Sequence, residues 1–212
     1  MRQTPPLLAR PVPAFLFVLT LAVAGSALAW SVARRHQNRL HRATGPASWI
    51  WLADEVGEEP APLRFFAARE FDWQGSGSGP TQALLFVDRR YALFLNGGLV
   101  GQGQQRLGDP LDAYDLSGLL RRGLNRIVIG AESPDGAGGI LFLLTLSDGT
   151  QLPSDGRWRV AKTEKELESG GRRAAVWGSP PMYPWGYPRV KSSMFKVQGS
   201  KLGAAGVGFS QP

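Results

Sequence analysis

The sequence contains no cysteine. Disulfides, thiolate metal sites, a cysteine nucleophile and a lipoprotein-type anchor are thereby excluded. Histidine is nearly absent as well: the two present, His36 and His41, sit just beyond a long apolar segment and outside what reads as the folded body. A body without histidine holds no Ser-His-Asp triad and no histidine-ligated zinc. Acidic residues are missing from both ends, since none occurs in residues 1–42 or from Arg189 onward. Those ends carry six and four basic residues, whereas residues 43–188 carry 14 basic and 17 acidic ones, so the net charge of +7 describes the ends and not the body. Nucleic-acid binding needs a basic face to neutralise phosphates; it loses most of its support, and no nucleic-acid partner is expected.

Turn formers, by contrast, are abundant. With 27 Gly and 16 Pro, the composition favours strands joined by frequent turns. The chain divides into a basic leader (1–13), an apolar segment (14–33), a basic linker (34–47), a body (48–188) and a flexible basic tail (189–212) whose lysines suit anionic surfaces. The segment from Ala14 to Ala33 runs for 20 residues without a charge. At about 1.5 Å rise per residue that length matches a hydrocarbon core about 30 Å thick. The same stretch fits a secretory signal, with Arg2 and Arg10 ahead of it and Ala27-Leu28-Ala29 as a small-x-small cleavage pattern. Apolar character that continues through Trp30 and Val32 favours an uncleaved transmembrane anchor, with secretion after cleavage near Ala29 as the alternative. Four arginines follow the segment and two precede it, which by the positive-inside tendency places the body in the cytoplasm. The content of the body, described next, points outward across a bacterial cytoplasmic membrane, and both orientations stay open.

The body reads as all-β. In "LRFFAAREF" (63–71), Phe65, Ala67, Arg69 and Phe71 share one face, as a strand requires. "WIWL", "ALLFVDRR", "YALFLN", "LVGQG", "NRIVIGAE", "GGILFLLTLSDG", "TQLPS" and "WRVA" supply further short strands. Turns separate them at short intervals, which fits a sandwich or barrel. Asn96-Gly97 supplies the positive φ angles of a tight hairpin. Because both faces of "YALFLN" are apolar, the pattern predicts a central strand covered on both sides. "YDLSGLLRRG" predicts one helical turn, capped by Asp115 or Ser117 and ended by Gly123.

This order of features, "RFFAAREF", "VDRRYALFLNGGLVG", "YDLSGLLRRGLNRIVIGAE", "GGILFLLTLSDGT", "SDGRWRV", then Trp177 and "PWG" (184–186), resembles the accessory β-sandwich of bacterial α-L-rhamnosidases. That domain belongs to the galactose-binding-like jelly rolls. The resemblance implies a galactose-binding-like jelly-roll sandwich, here preceded by one N-terminal transmembrane helix. In that family catalysis resides in a separate helical barrel, for which a chain ending at Pro212 leaves no room, so no enzyme activity is expected. The sandwich itself is sometimes sugar-binding and sometimes only structural.

Carbohydrate contacts are sought among aromatics and amides. Trp177, Tyr183, Trp185 and Tyr187 fall within eleven residues, interleaved with Pro180, Pro181, Pro184 and Pro188, and aromatic faces stack on the C–H faces of sugar rings. The alternative is that this segment packs over the sandwich; burial of both tryptophans would remove the main support for the glycan reading. Asp88 and Arg90, flanking Arg89, offer charged hydrogen bonds, or else form a structural ion pair with Glu132. Gln102 and Gln104, in a loop at the strand end, offer donor and acceptor together. Asp109, Asp112 and Asp115 recur every third residue and are the basis for a structural calcium, though turns and caps also explain them. No catalytic residue, cofactor or other metal site is expected. The expected function is a membrane-tethered, non-catalytic module that binds carbohydrate or envelope glycan. Its rival is a structural module without sugar binding, partnering a separately encoded enzyme or envelope complex.

Overall fold

A computed structural model describes residues 22–31, 44–52, 61–75 and 79–190. Two units divide the chain, residues 1–42 and 43–212. In the first, residues 22–31 are helical (α1). Among the described residues no helix is long and apolar enough to cross a membrane. Residues 14–21 and 32–33 of the expected anchor lie outside the described residues, as do the leader, residues 34–43 of the linker and the tail beyond Val190.

The second unit is a two-sheet β-sandwich. One sheet orders its strands β12 (Ala175–Gly178), β1 (Trp49–Trp51), β8 (Ile140–Thr145), β3 (Gln82–Val87), β6 (Pro110–Asp115) and β13 (Arg189–Val190), with β9 (Gln151–Pro153) paired to β8. The other orders β11 (Arg172–Arg173), β10 (Arg159–Ala161), β2 (Leu63–Trp73), β7 (Gly123–Ser133), β4 (Arg89–Leu95) and β5 (Gly98–Gln105). Strand pairing is antiparallel apart from β13 on β6, which lies two residues beyond the expected edge of the body at 188.

Alternation along each strand decides which side chains meet between the sheets. Phe65, Ala67 and Phe71 of β2 enter the core, joined by Leu85 and Val87 of β3, Leu93 and Leu95 of β4, Ile127 and Ile129 of β7, and Ile140, Phe142 and Leu144 of β8. Each large apolar side chain removed from water there contributes roughly 1.5–3 kcal/mol. A second apolar layer lies on the outer face of the first sheet, where Trp49, Phe86, Leu141 and Leu143 are buried beneath Trp185.

Three local expectations change. The strand β4 is next to the edge, between β7 and β5, because the strand expected at "LVGQG" runs on to Gln105 as the edge strand and does not give way to a loop. Gly101 and Gly103 make this possible: a Cβ on Gly101 would lie 2.4 Å from the Tyr114 ring, and one on Gly103 would lie 2.9 Å from the Tyr91 ring. Two glycines in alternate positions give the strand a concave inner side that two tyrosines fill. The expected helical turn is a single turn closed by Leu119 N–H to the Leu116 carbonyl, with Asp115 accepting from Ser117 as foreseen, since Tyr114 and Asp115 of that stretch belong to β6. Among the described residues the named helix of this unit is instead α2 (Glu164–Glu168), whose N-cap Thr163 accepts from Glu166 N–H.

Asn96 and Gly97 take φ values of 52° and 81°, as the two-residue hairpin demands. Asn96 also ties the turn to β7, accepting from Arg126 N–H at 3.0 Å and donating to Asn125 at 2.9 Å.

Candidate functional site

The chain passes from one sheet to the other at Asp88 and Arg89, and the residues around that corner hold the sandwich together. Arg89 sits at φ 99°, a conformation costly for a side chain other than glycine. Its guanidinium bridges to Asp135 at 3.0 Å and lies 3.6 Å from Asp88. The hydrogen bond to Asp135 holds the Arg89 guanidinium more firmly protonated, while Ser133 holds the Asp135 carboxyl below its ordinary range. Gln105, buried beside them, accepts from Val87 N–H at 2.8 Å and donates to the Pro110 carbonyl at 3.0 Å. It joins β5, β3 and β6, and is the one amide of "GQGQQ" that points inward.

Trp185 closes the same corner. It is 8% exposed, stacks on Trp49 at 4.4 Å between ring centroids, and donates its indole N–H to Asp88 at 3.1 Å. Trp177 lies 6.0 Å from it in a tilted arrangement and is half-buried. Gly139 is needed here, because a Cβ would meet both Trp185 and Trp49 within 2.9 Å. Trp185 and Asp88 are therefore spent on each other, and the ring that the sequence offered as a sugar platform is a packing element.

The segment around Trp185 presents other rings outward. Pro180, Trp185 and Pro188 are buried, and Gly186 N–H returns to the Met182 carbonyl at 2.6 Å. Between these fixed points Tyr183 is 92% exposed and Tyr187 is 42% exposed. A segment pinned at three places and bearing two outward phenol rings loses little conformational freedom when a ligand stacks on it.

Arg90, Gln102 and Gln104 lie elsewhere. Register places Arg90 beside Glu132 on β7 and Gln104 on β5, on the outer face of the second sheet, with Ala92 and Gln102 in the neighbouring row. Glu132 lies 3.5 Å from Arg90 and 3.6 Å from Arg64, so the ion pair foreseen for this region forms through Arg90. Gln102 and Gln104 are exposed, and half-buried Phe66 and Phe94 stand on the same face. The predicted residues thus form two groups: Trp177, Tyr183, Trp185, Tyr187 and Asp88 on one side of the sandwich, and Arg90, Gln102 and Gln104 on the other.

Asp109, Asp112 and Asp115 do not converge. Asp109 accepts from Arg106 N–H, Asp112 from the Tyr91 hydroxyl at 2.6 Å, and Asp115 from Ser117. Among the described residues no group of three or more His, Asp or Glu is placed to hold a metal ion. The sequence reading missed the Asp112–Tyr91–Tyr114 chain, whose two hydroxyls are 2.6 Å apart in the core. Burial, then the bond to Asp112, raises the Tyr91 phenol far above its ordinary pKa.

The sandwich is similar to parts of longer proteins of known structure. The GH78 family rhamnosidase of Bacillus sp. GL1 matches with a TM-score of 0.61 and 25% identity, over 69% of this chain and 20% of that one. The lectin of Pleurotus ostreatus, determined both in its apo form and in complex with GalNAc, matches with a TM-score of 0.58 and 26% identity, over 70% of this chain and 46% of the lectin. The fold is also shared with a Streptomyces avermitilis α-L-rhamnosidase complexed with L-rhamnose, at a TM-score of 0.57 and 21% identity, over 69% of this chain and 16% of that one. This chain thus spans less than half of each of these proteins. No family model matches the sequence, and no curated protein matches it. What the chain shares with the rhamnosidases is a β-sandwich that makes up a fifth or less of their length, as the order of its strands foretold.

Proposed function

We propose that this chain is a non-catalytic carbohydrate-binding sandwich, tethered through residues 14–33 and facing the envelope glycans outside a bacterial cytoplasmic membrane. The observation that carries the reading is Tyr183, 92% exposed on a segment whose neighbours Pro180, Trp185 and Pro188 are buried. A large aromatic ring left in water on a pinned segment is poised for stacking, and Tyr187 extends the surface. The likeness to a lectin that binds GalNAc supports the same assignment. Trp185 acts here as the anchor of the segment and Trp177 as its flank.

The test is glycan-array binding by the purified full chain, beside Tyr183→Ala. Saturable binding to a saccharide that the substitution weakens supports the reading, whereas a folded chain that binds no saccharide contradicts it. One observation favours a scaffold that partners another protein: Trp185, Asp88 and Arg90 all make contacts within the sandwich. On that reading, Tyr183→Ala abolishes capture by a protein partner and leaves glycans unbound.

A further inference from the structure

Five arginines gather across the adjacent strands β11, β10, β2 and β7 beside α2. Arg69, Arg157, Arg159 and Arg173 line a concavity of about 510 Å³ together with Asp155 and Gly156. A second, of about 400 Å³, adjoins it through Arg69, Arg157 and Arg159 and adds Arg126, Glu70 and Glu168. Both volumes fall within the roughly 300–1,000 Å³ of small-ligand sites. Such crowding of positive charge is notable in residues 43–188, where acids outnumber bases by 17 to 14.

The local charges are not balanced within the fold. Arg157 is neutralised by Asp155, at 2.7 Å from its Nε. Arg69 has a backbone partner, donating to the Arg157 carbonyl at 3.0 Å, and its pKa is lowered, by burial first and by the charge of Arg157 next. Arg159 and Arg173 are directly opposite each other on the antiparallel pair β10 and β11, so their side chains stand on one face of the sheet. Like charges so placed destabilise a sheet. Arg126, directly opposite Glu70 on β2, adds a buried Nε with no hydrogen-bond partner. A fold that accepts two opposed guanidiniums and one buried guanidinium nitrogen without a hydrogen-bond partner has a site that an anion would complete.

We propose that this groove binds the carboxylate of an acidic saccharide, which adds a second subsite to the carbohydrate reading above and rests on it. A guanidinium takes a carboxylate in a two-pronged, charge-assisted geometry, and Arg159 and Arg173 supply two such forks side by side. Extended polyanions and anionic bilayers fit less well, because Glu70, Glu168 and the net negative body repel a surface that carries charge beyond the groove. The ligand presents one localised charge on a body small enough for the concavity.

The experiment is calorimetric titration of the full chain with D-glucuronate, glucose and inorganic phosphate, and with vesicles containing anionic lipid, for the native protein and for Arg159→Gln and Arg173→Gln. The groove predicts glucuronate binding at least about tenfold tighter than glucose, lost in either variant and weakened by salt. It also predicts that each variant melts no lower than the native chain, since substitution removes a repulsion. Equal binding of phosphate and glucuronate, vesicle binding that Arg159→Gln or Arg173→Gln abolishes while glucuronate does not bind, or glucuronate binding that survives both substitutions overturns the inference. Should neutral saccharides bind at Tyr183 while glucuronate gains nothing, the subsite fails and the carbohydrate reading stands; should no saccharide bind, both fail.

Discussion

Trp185 shows how the same residue types serve opposite ends within one short segment. Its ring, stacked on Trp49 and hydrogen-bonded to Asp88, is part of the apolar layer over the first sheet. Trp185→Ala is expected to lower the free energy of unfolding by about 3–5 kcal/mol in urea denaturation, because it opens a cavity and strips Asp88 of a donor. Tyr183→Ala, at an exposed ring, should change stability by no more than about 0.5 kcal/mol. Sequence alone proposed all four aromatics of residues 177–187 on equal terms. Their spacing says nothing of which rings the sheet beneath will cover, and that depends on Trp49 and Gly139, distant in the chain.

Tyr91 is a second residue whose role only the fold reveals. Its hydroxyl, hydrogen-bonded to Asp112 and to Tyr114 away from water, keeps its proton in the folded chain at pH values where an unfolded tyrosine loses it. Tyr114 is shifted in the same direction, by burial. Stability from Tyr91 is therefore complete below about pH 10 and declines above it, approaching about 1.4 kcal/mol per pH unit, and Tyr114 acts in the same direction. Denaturation followed from pH 9 to 11 should show that decline, and Tyr91→Phe should remove about one proton's worth of the slope. An unchanged slope in the variant would mean that Tyr91 ionises in the folded chain as readily as in the unfolded one.

At the scale of elements, local rules read well wherever they did not depend on a partner strand. The Asn96-Gly97 hairpin, the alternation in β2 and the run of strands through the body were legible, because turn chemistry and period-two patterning are written in consecutive residues. The edge strand β5 was legible only in part: "LVGQG" reads as a strand, but its continuation to Gln105 does not. "GQGQQ" reads as a loop because glycine is poor in strands, and its glycines make sense only once Tyr114 and Tyr91 lie across from them. Gly101→Ala tests this: a Cβ would meet the Tyr114 ring, so the variant should lose about 1–3 kcal/mol of stability, as overpacked cores do. Gly97→Asn, in the open turn, should cost far less. The arginine groove went unread for the same reason, since Arg69, Arg126, Arg159 and Arg173 come from four strands that lie side by side only after folding.

For the molecule as a whole, a sandwich with one face sealed by a Trp185-anchored segment and the other bearing the rows around Arg90 and Gln104 has two outward surfaces of different chemistry. The first offers phenol rings, the second amides, paired charges and, towards β10 and β11, the arginine groove. The body has no histidine or cysteine, and on the proposed function these two surfaces are where a saccharide is held. The most direct measurement is a titration of the full chain with the glycan selected on an array, for the native protein and for Tyr183→Ala/Tyr187→Ala, with the melting temperature recorded for both. The account predicts saturable binding that the double substitution weakens at least about tenfold at an unchanged melting temperature. Native-strength binding in the double variant, or a folded native chain that binds no saccharide, would contradict it.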